Sequence, residues 1–200
     1  MNLDELNESQ RQAVLCTDAP MLVIAGAGSG KTRVLTYKIA YLLTQGYQPW
    51  QILALTFTNK AAREMQTRIS TQVGQQSASQ LWMGTFHSIF CRILRYEADR
   101  IGFQSDFTIY DAADSKTLVT ALIKEMGLDE KVYKPSHVCS QISRAKNALV
   151  LPSQYSASAQ LRQADNAARM PMIHEIYARY YARCRMANAM DFDDILLYTW

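Results

Sequence analysis

Between Met21 and Leu35 the chain reads MLVIAGAGSGKTRVL, and no other stretch limits the possible fold so tightly. The five apolar residues Met21–Ala25 predict a buried strand. They run into a Gly-rich turn, and Gly30-Lys31-Thr32 opens a segment with helical apolar spacing. Strand, loop and helix in that order are the setting of a phosphate-binding P-loop. Gly26, Gly28 and Gly30, interleaved with Ala25, Ala27 and Ser29, permit backbone conformations that a Cβ forbids, so successive N–H groups can turn towards one anion. A helix starting near Lys31 adds unpaired N–H groups and the positive end of its dipole. Lys31 would bring a point charge to the β/γ-phosphates, and the Thr32 hydroxyl a ligand for Mg²⁺. The strict pattern starts with Gly five residues before Gly30, where this chain has Ala25. A tight Gly turn with a surface Lys and Thr is the plain alternative, and the flanking strand and helix speak against it. ATP or GTP binding is the expectation.

Two hundred residues suffice for one large domain or two small ones. No apolar run approaches the ~20 residues of a membrane span, and no membrane partner is expected. The acidic start (Asp4, Glu5, Glu8) does not read as a signal peptide. Cys16, Cys91, Cys139 and Cys184 are too scattered for a zinc site and fit reduced thiols in a cytoplasmic setting. Residues 31–110 carry nine basic side chains against four acidic, and residues 136–190 seven against two. Two segments at +5 suit a polyanion partner. Such an excess also suits a merely solvated face.

Taken in order, Asn7-Glu8-Ser9-Gln10 reads as a helix start, Asn7 being the N-cap and Gln10 its capping-box partner. Gln10 could instead use its amide, donor and acceptor together, to read the edge of an adenine. After the P-loop, Val34, Leu35, Ile39, Leu42 and Leu43 form a helical stripe ended by Gly46. Trp50–Phe57 predicts a second buried strand, and Thr58-Asn59 leads into a helix with Ala62, Met65, Ile69 and Val73 on one face. Leu81–Thr85 predicts a third strand, followed by a helix with Phe86, Ile89, Phe90, Ile93 and Leu94 inward. Three rounds of strand and helix imply an α/β domain on a parallel sheet.

Ligands of such sheets bind at the carboxyl ends of strands. Phe57-Thr58-Asn59-Lys60 leaves the second strand there, and Thr85-Phe86-His87-Ser88 the third. Aromatic, hydroxyl, amide and cation together are the parts of a single-strand nucleic-acid platform. They are equally the parts of a core, with Phe57 and Phe86 buried, Thr58 capping a helix and His87 satisfied inside.

Near Tyr110 the texture changes. Asp111 reads as the N-cap of a helix with Leu118, Val119, Leu122, Ile123 and Met126 inward, closed by Gly127. Residues 136–147 predict a basic helix and 153–170 a loop or weak helix. From Pro171 a helix presents Ile173, Ile176, Tyr177 and Tyr180, and Asp191 caps a last apolar segment, Phe192–Trp200. With no strand signal after 110, residues 111–190 read as a separate all-helical domain.

LNESQRQAV (6–14), AGAGSGKTRVL (25–35), ALTFTNKAAREM (54–65), GTFHS (84–88), ISRAKN (142–147) and MDFDDILL (190–197) stand in an order that resembles the N-terminal part of UvrD/PcrA/Rep-type superfamily 1A DNA helicases. The resemblance spans almost the whole chain. In that family the first P-loop position is Ala, matching Ala25. It implies that Gln10 belongs to an adenine-reading motif, and that Arg33 lies near the nucleotide. It further implies that Phe57, Thr58, Asn59, Lys60, Thr85 and His87 contact single-stranded DNA. It divides the chain into a partial RecA-like ATP-binding domain (1–110), an inserted helical subdomain (111–190) and the start of a return (191–200). Asp193 and Asp194 read as helix N-terminal charges rather than catalysts.

The same resemblance implies ATP and Mg²⁺ as cofactors, single-stranded DNA and its junctions with duplex as partners, and 3′–5′ ATP-driven unwinding in repair or replication. Phosphoryl transfer also needs an acid to hold Mg²⁺ and a group to orient the attacking water. The family's Asp-Glu pair is expected after residue 200. Asp129-Glu130 follows Gly127-Leu128, no strand, and is no substitute. The arginine finger and second RecA-like domain are expected outside this stretch too, so the chain alone is expected not to hydrolyse ATP. A binding-only module and the helicase subunit of a recombination nuclease remain alternatives. A small-molecule kinase is disfavoured by TFTNKAA and GTFHS.

Overall fold

A computed structural model describes residues 2–200. The chain packs as two compact units, one ending at Ile89 and the other Phe90–Trp200.

In the first unit a 3₁₀ turn, Leu3–Glu5, precedes helix α1, Glu8–Leu15, whose N-terminus carries the full Asn7/Gln10 capping box. Helix α2, Lys31–Thr44, follows the P-loop and packs on α1 through Leu6, Ala13, Val14, Val34 and Tyr37. Strand β1, Leu53–Thr56, leads into helices α3, Asn59–Val73, and α4, Gln75–Ser79, and these into strand β2, Trp82–Thr85. The strands are parallel, with Leu53 facing Trp82 and Thr56 facing Thr85. Ile39, Ile52, Ala54, Met65, Ile69 and Leu81 fill the core beside them. Helix α5, Phe86–Tyr96, leaves β2 at once. Gly84 permits this turn, because a Cβ there would stand 2.6 Å from Ser88 Oγ.

The first predicted strand does not form. Residues 21–25 have no ladder partner among the described residues, and backbone groups unpaired in that way do not define a strand. Their side chains still alternate, Met21 and Val23 being 43% and 42% exposed against 84% and 89% for Leu22 and Ile24. One edge of the segment thus leans on α2, where Met21 and Val23 line a cavity of about 310 Å³ with Ala13, Lys31, Val34 and Lys38. The sheet of this unit accordingly has two strands, not three. The second strand is also shorter than Trp50–Phe57, since Pro49–Gln51 forms a 3₁₀ turn and Trp50 and Phe57 are exposed. Leu35, expected inward, is exposed while Thr36 is buried, a one-residue rotation of the apolar stripe of α2.

In the second unit strand β3, Thr108–Tyr110, precedes helix α6, Ala112–Glu125, which Asp111 and Asp114 cap as a box. Helices α7, Pro135–Asn147, α8, Pro152–Ala157, α9, Ala159–Ala167, and α10, Ile173–Met186, follow. Strand β4, Ala189–Asp191, and helix α11, Phe192–Thr199, end the chain. Val119, Ile123, Val138, Ile173, Ile176 and Tyr177 form the larger core of this unit. Strand β4 lies parallel to β3, so the stretch after 110 is not all helical, and 153–170 holds two short helices.

Lys146 is buried in this unit with no side-chain exposure. Its Nζ lies 2.6 Å from Asp191 Oδ2 and 2.7 Å from Asp194 Oδ1, tying α7 to β4 and α11. The Tyr180 hydroxyl donates to the same Asp191 oxygen at 2.8 Å. Asp191 and Asp194 also form the capping box of α11, and Asp193 accepts from the Asn147 amide at 3.0 Å. These acids are spent on structure, as expected for helix N-terminal charges.

Candidate functional site

The P-loop is shaped by its glycines and fastened by its own side chains. Gly28 and Gly30 have φ of 76° and 85°, left-handed values that favour glycine. Gly30 is the N-cap of α2 and offers no side-chain cap, so the first N–H groups of the helix remain available to a ligand. The Gly26 carbonyl accepts from Ser29 Oγ at 2.7 Å and from Lys31 Nζ at 2.6 Å. Lys31 Nζ also donates to the Ala25 carbonyl at 2.8 Å, which lays its ammonium across the loop. Ala27, Ser29, Lys31 and Thr32 are exposed, and Thr32 sits in the first turn of α2. The loop thus offers the uncapped N–H groups of α2, an ammonium and an exposed hydroxyl within a few residues of one another. This donor set fits a nucleotide triphosphate.

Gln10 fills its capping-box role and is also fastened to the P-loop. Its Oε1 accepts from the Asn7 N–H at 3.2 Å, closing the capping box, and its Nε2 donates to the Ser29 carbonyl at 2.9 Å. The amide has four hydrogen-bonding valences, and two of them hold it against the loop. One N–H and one lone pair remain. Arg33 pairs with Glu5 at 2.9 Å and lies 5.6 Å over the Tyr37 ring.

At the carboxyl ends of β1 and β2 the two aromatic residues differ in burial. Phe57 is 88% exposed, and its ring centroid lies 5.5 Å from that of half-buried Phe86 at a 37° tilt. The core alternative for Phe57 is thereby overturned. Thr58 Oγ1 accepts from the Ala61 N–H at 3.1 Å and caps α3, and Asn59 and Lys60 are exposed in its first turn. Thr85 Oγ1 bonds Ser88 Oγ at 3.0 Å, and half-buried His87 lies in the first turn of α5. Both groups of predicted residues fall within the first unit.

The model of the UvrD/REP helicase N-terminal domain matches residues 6–200. The chain belongs to the UvrD/REP helicase family. The ATP-dependent DNA helicase PcrA of Bacillus subtilis (strain 168) is 43% identical over 198 residues, covering 98% of this chain and 26% of that protein. PcrA of Staphylococcus aureus (strain Mu50 / ATCC 700699) is 44% identical over 198 residues, with the same two coverages. PcrA of Leuconostoc citreum is 42% identical over 195 residues, covering 97% and 25%. The chain thus spans about a quarter of the length of these UvrD/REP relatives.

Some contributors were not legible in the sequence. Glu5 and Tyr37 hold Arg33, and Lys38 reaches back to the Cys16 carbonyl at the end of α1. Glu5 and Tyr37 are 32 positions apart and match no motif. Only the placement of the N-terminal 3₁₀ turn against α2 joins them. The Ser88 hydroxyl, which donates to the Thr85 carbonyl at 2.9 Å, was foreshadowed by its place in GTFHS.

Proposed function

We propose that this chain is the N-terminal ATP- and DNA-binding part of an ATP-driven translocase that tracks along single-stranded DNA in the 3′–5′ direction and unwinds duplex. The observation carrying this reading is the coexistence, in one compact unit, of a phosphate loop opening onto uncapped α2 and an exposed Phe57/Phe86 pair at the strand ends. The chain's relatives are ATP-dependent DNA helicases, which supports this reading.

In this reading the N–H groups of residues 26–32 hold the phosphates. Lys31 exchanges its two carbonyl partners for phosphate oxygens, and Thr32 gives one ligand to Mg²⁺. The free N–H and lone pair of Gln10 meet the complementary acceptor and donor of adenine. Phe57 stacks a base, while Thr58, Asn59, Lys60, Thr85 and His87 serve the DNA backbone. We assign residues 1–110 and 191–200 to a RecA-like domain and 111–190 to a helical insert. The solvent-facing side chains of Leu22 and Ile24, with Met21 and Val23 turned towards α2, suit a strand packed on both faces within a larger sheet. Action in the cytoplasm, in repair or replication, completes the proposal.

Hydrolysis is the discriminating experiment. No residue of this chain is assigned to hold Mg²⁺ through a carboxylate or to orient the attacking water, so the 200-residue chain is expected to bind nucleotide without DNA-stimulated turnover. The whole protein is expected to show that turnover. ATP hydrolysis by the 200-residue chain that rises with added single-stranded DNA would contradict the assignment, as would its absence from the whole protein.

A further inference from the structure

We infer that the cleft between α7 and α9 is a binding site for a small apolar molecule carrying one ammonium group, seated on the Asp165 carboxylate. The cleft has a volume of about 220 Å³, lies wholly within the second unit and shares no residue with the P-loop or the Phe57 platform. A cavity of about 150 Å³ already takes a benzene-sized guest. Ala145, Ala148, Val150, Leu161 and Ala164 give the cleft apolar walls, and Asp165 is the one carboxylate among the described residues that line it. Apolar walls around a single well-placed polar group are the usual make-up of a small-molecule site.

Asp165 lies on α9 and is only 6% exposed. Its Oδ1 accepts from the Tyr155 hydroxyl at 3.0 Å, whereas its Oδ2 is buried with no hydrogen-bond partner among the described residues. Buried polar atoms are nearly always paired, and one left over costs free energy that a donor restores. The carboxyl cannot turn to find such a donor without giving up Tyr155. That ring is itself buried and packs edge-on against Tyr177, centroid to centroid at 5.9 Å. Arg162 and His174 are near enough for their charges to act on Asp165, but neither forms an ion pair with it among the described residues. Burial accordingly keeps the carboxyl above its ordinary range, against the Tyr155 hydrogen bond and those two charges. An ammonium on Oδ2 supplies both the missing donor and the missing countercharge, in a charge-assisted hydrogen bond sheltered from water.

Benzylammonium is a probe of this size and chemistry, and benzyl alcohol shares its body without its charge. Calorimetric titration of the 200-residue chain is expected to show benzylammonium binding more tightly than the alcohol, and its melting temperature should rise with benzylammonium concentration. Asp165→Asn keeps an acceptor for the Tyr155 hydroxyl. It should weaken benzylammonium about tenfold or more and leave benzyl alcohol within about twofold. Arg144 also lines the cleft and is exposed, so Arg144→Gln removes a like charge and should strengthen benzylammonium about twofold. Ala164→Leu, at an exposed position of α9, should fill the cleft and abolish binding of both probes. Because Arg144 and Ala164 are exposed, these two variants decide the matter even where Asp165→Asn fails to fold. No benzylammonium binding to the unaltered chain, equal affinity for the alcohol, or undiminished binding to folded Asp165→Asn would each overturn the site. Binding that survives Ala164→Leu or is weakened by Arg144→Gln would overturn it as well.

Discussion

Phe57 and Phe86 stand in matching places, each one residue beyond the register-paired Thr56 and Thr85, and their rings meet 5.5 Å apart. The parallel pairing of β1 and β2 thus delivers two aromatic rings to one sheet edge, where both helices that follow are capped by the intervening hydroxyls. An aromatic 88% exposed contributes little to folding beyond its contact with the second ring. Its value lies in what can stack on it.

Phe57→Ala is therefore expected to weaken binding of a short single-stranded oligonucleotide by about 1–3 kcal/mol. Its melting temperature should stay close to that of the unaltered protein. Lys60→Ala should behave differently, flattening the log–log salt dependence by about 0.7 through the loss of one counterion-releasing contact. Salt-dependent titrations and thermal melts on whole protein carrying each change provide the check. A collapse in thermal stability for Phe57→Ala, with normal affinity in what stays folded, would contradict the platform.

The Lys146 cluster leads to a stability prediction. Removing one member of a buried, hydrogen-bonded charge set strands the others, so Lys146→Ala should cost about 3–5 kcal/mol. Replacing all three charges together should cost less than the single change, because no uncompensated charge is left behind. Chemical denaturation of the single and triple variants distinguishes these outcomes.

The same cluster sets a pH dependence. Burial, with the nearby Asp191 charge and against the Lys146 ammonium, pushes the Asp194 carboxyl from 3.8 up to about 6. Asp191 moves the other way, since Lys146 and its hydrogen-bond donors outweigh its burial. Between the ordinary value of Asp194 and its folded one, the folded state holds a proton that the unfolded chain has released. This group therefore stabilises the fold as pH falls through about 6, and the gain is absent at higher pH. Asp191 opposes it only below the ordinary carboxylate range. Melting curves at about pH 7.5 and about pH 5 should show the unaltered chain gaining stability relative to Asp194→Asn. Identical slopes in both proteins would contradict the shifted carboxyl.

Local chemistry explains what could be read in advance. The Asn7/Gln10 and Asp111/Asp114 boxes, the Thr58 cap and the left-handed Gly30 and Gly127 are written in residue types whose roles depend on near neighbours. Strand β4 escaped because three residues cannot display a period, and its pairing with β3 joins positions 81 apart. The ends of α7, α9 and α10 were equally silent: Leu149, Arg169 and Asn188 take left-handed φ of 58°, 58° and 48° without a glycine to announce them. At Asn188 the side chain compensates by bonding the Gln104 N–H and Asp106. Residues 21–25 erred in the opposite direction, because an apolar run specifies a strand only when neighbours complete its ladder. In the site, the motif residues were legible one by one. The Glu5–Arg33–Tyr37 contact was not, because it depends on how the N-terminal 3₁₀ turn sits against α2.

The claim on which the rest depends is that the Ala25–Thr32 loop holds nucleotide phosphates through Lys31. Calorimetric titration of Mg²⁺-ATP into the 200-residue chain and its Lys31→Ala variant tests it directly. Lys31 supplies the loop's ammonium and holds the Ala25 and Gly26 carbonyls, so the account predicts measurable binding to the unaltered chain and none to a folded Lys31→Ala variant. Equal affinity in the two proteins would contradict it.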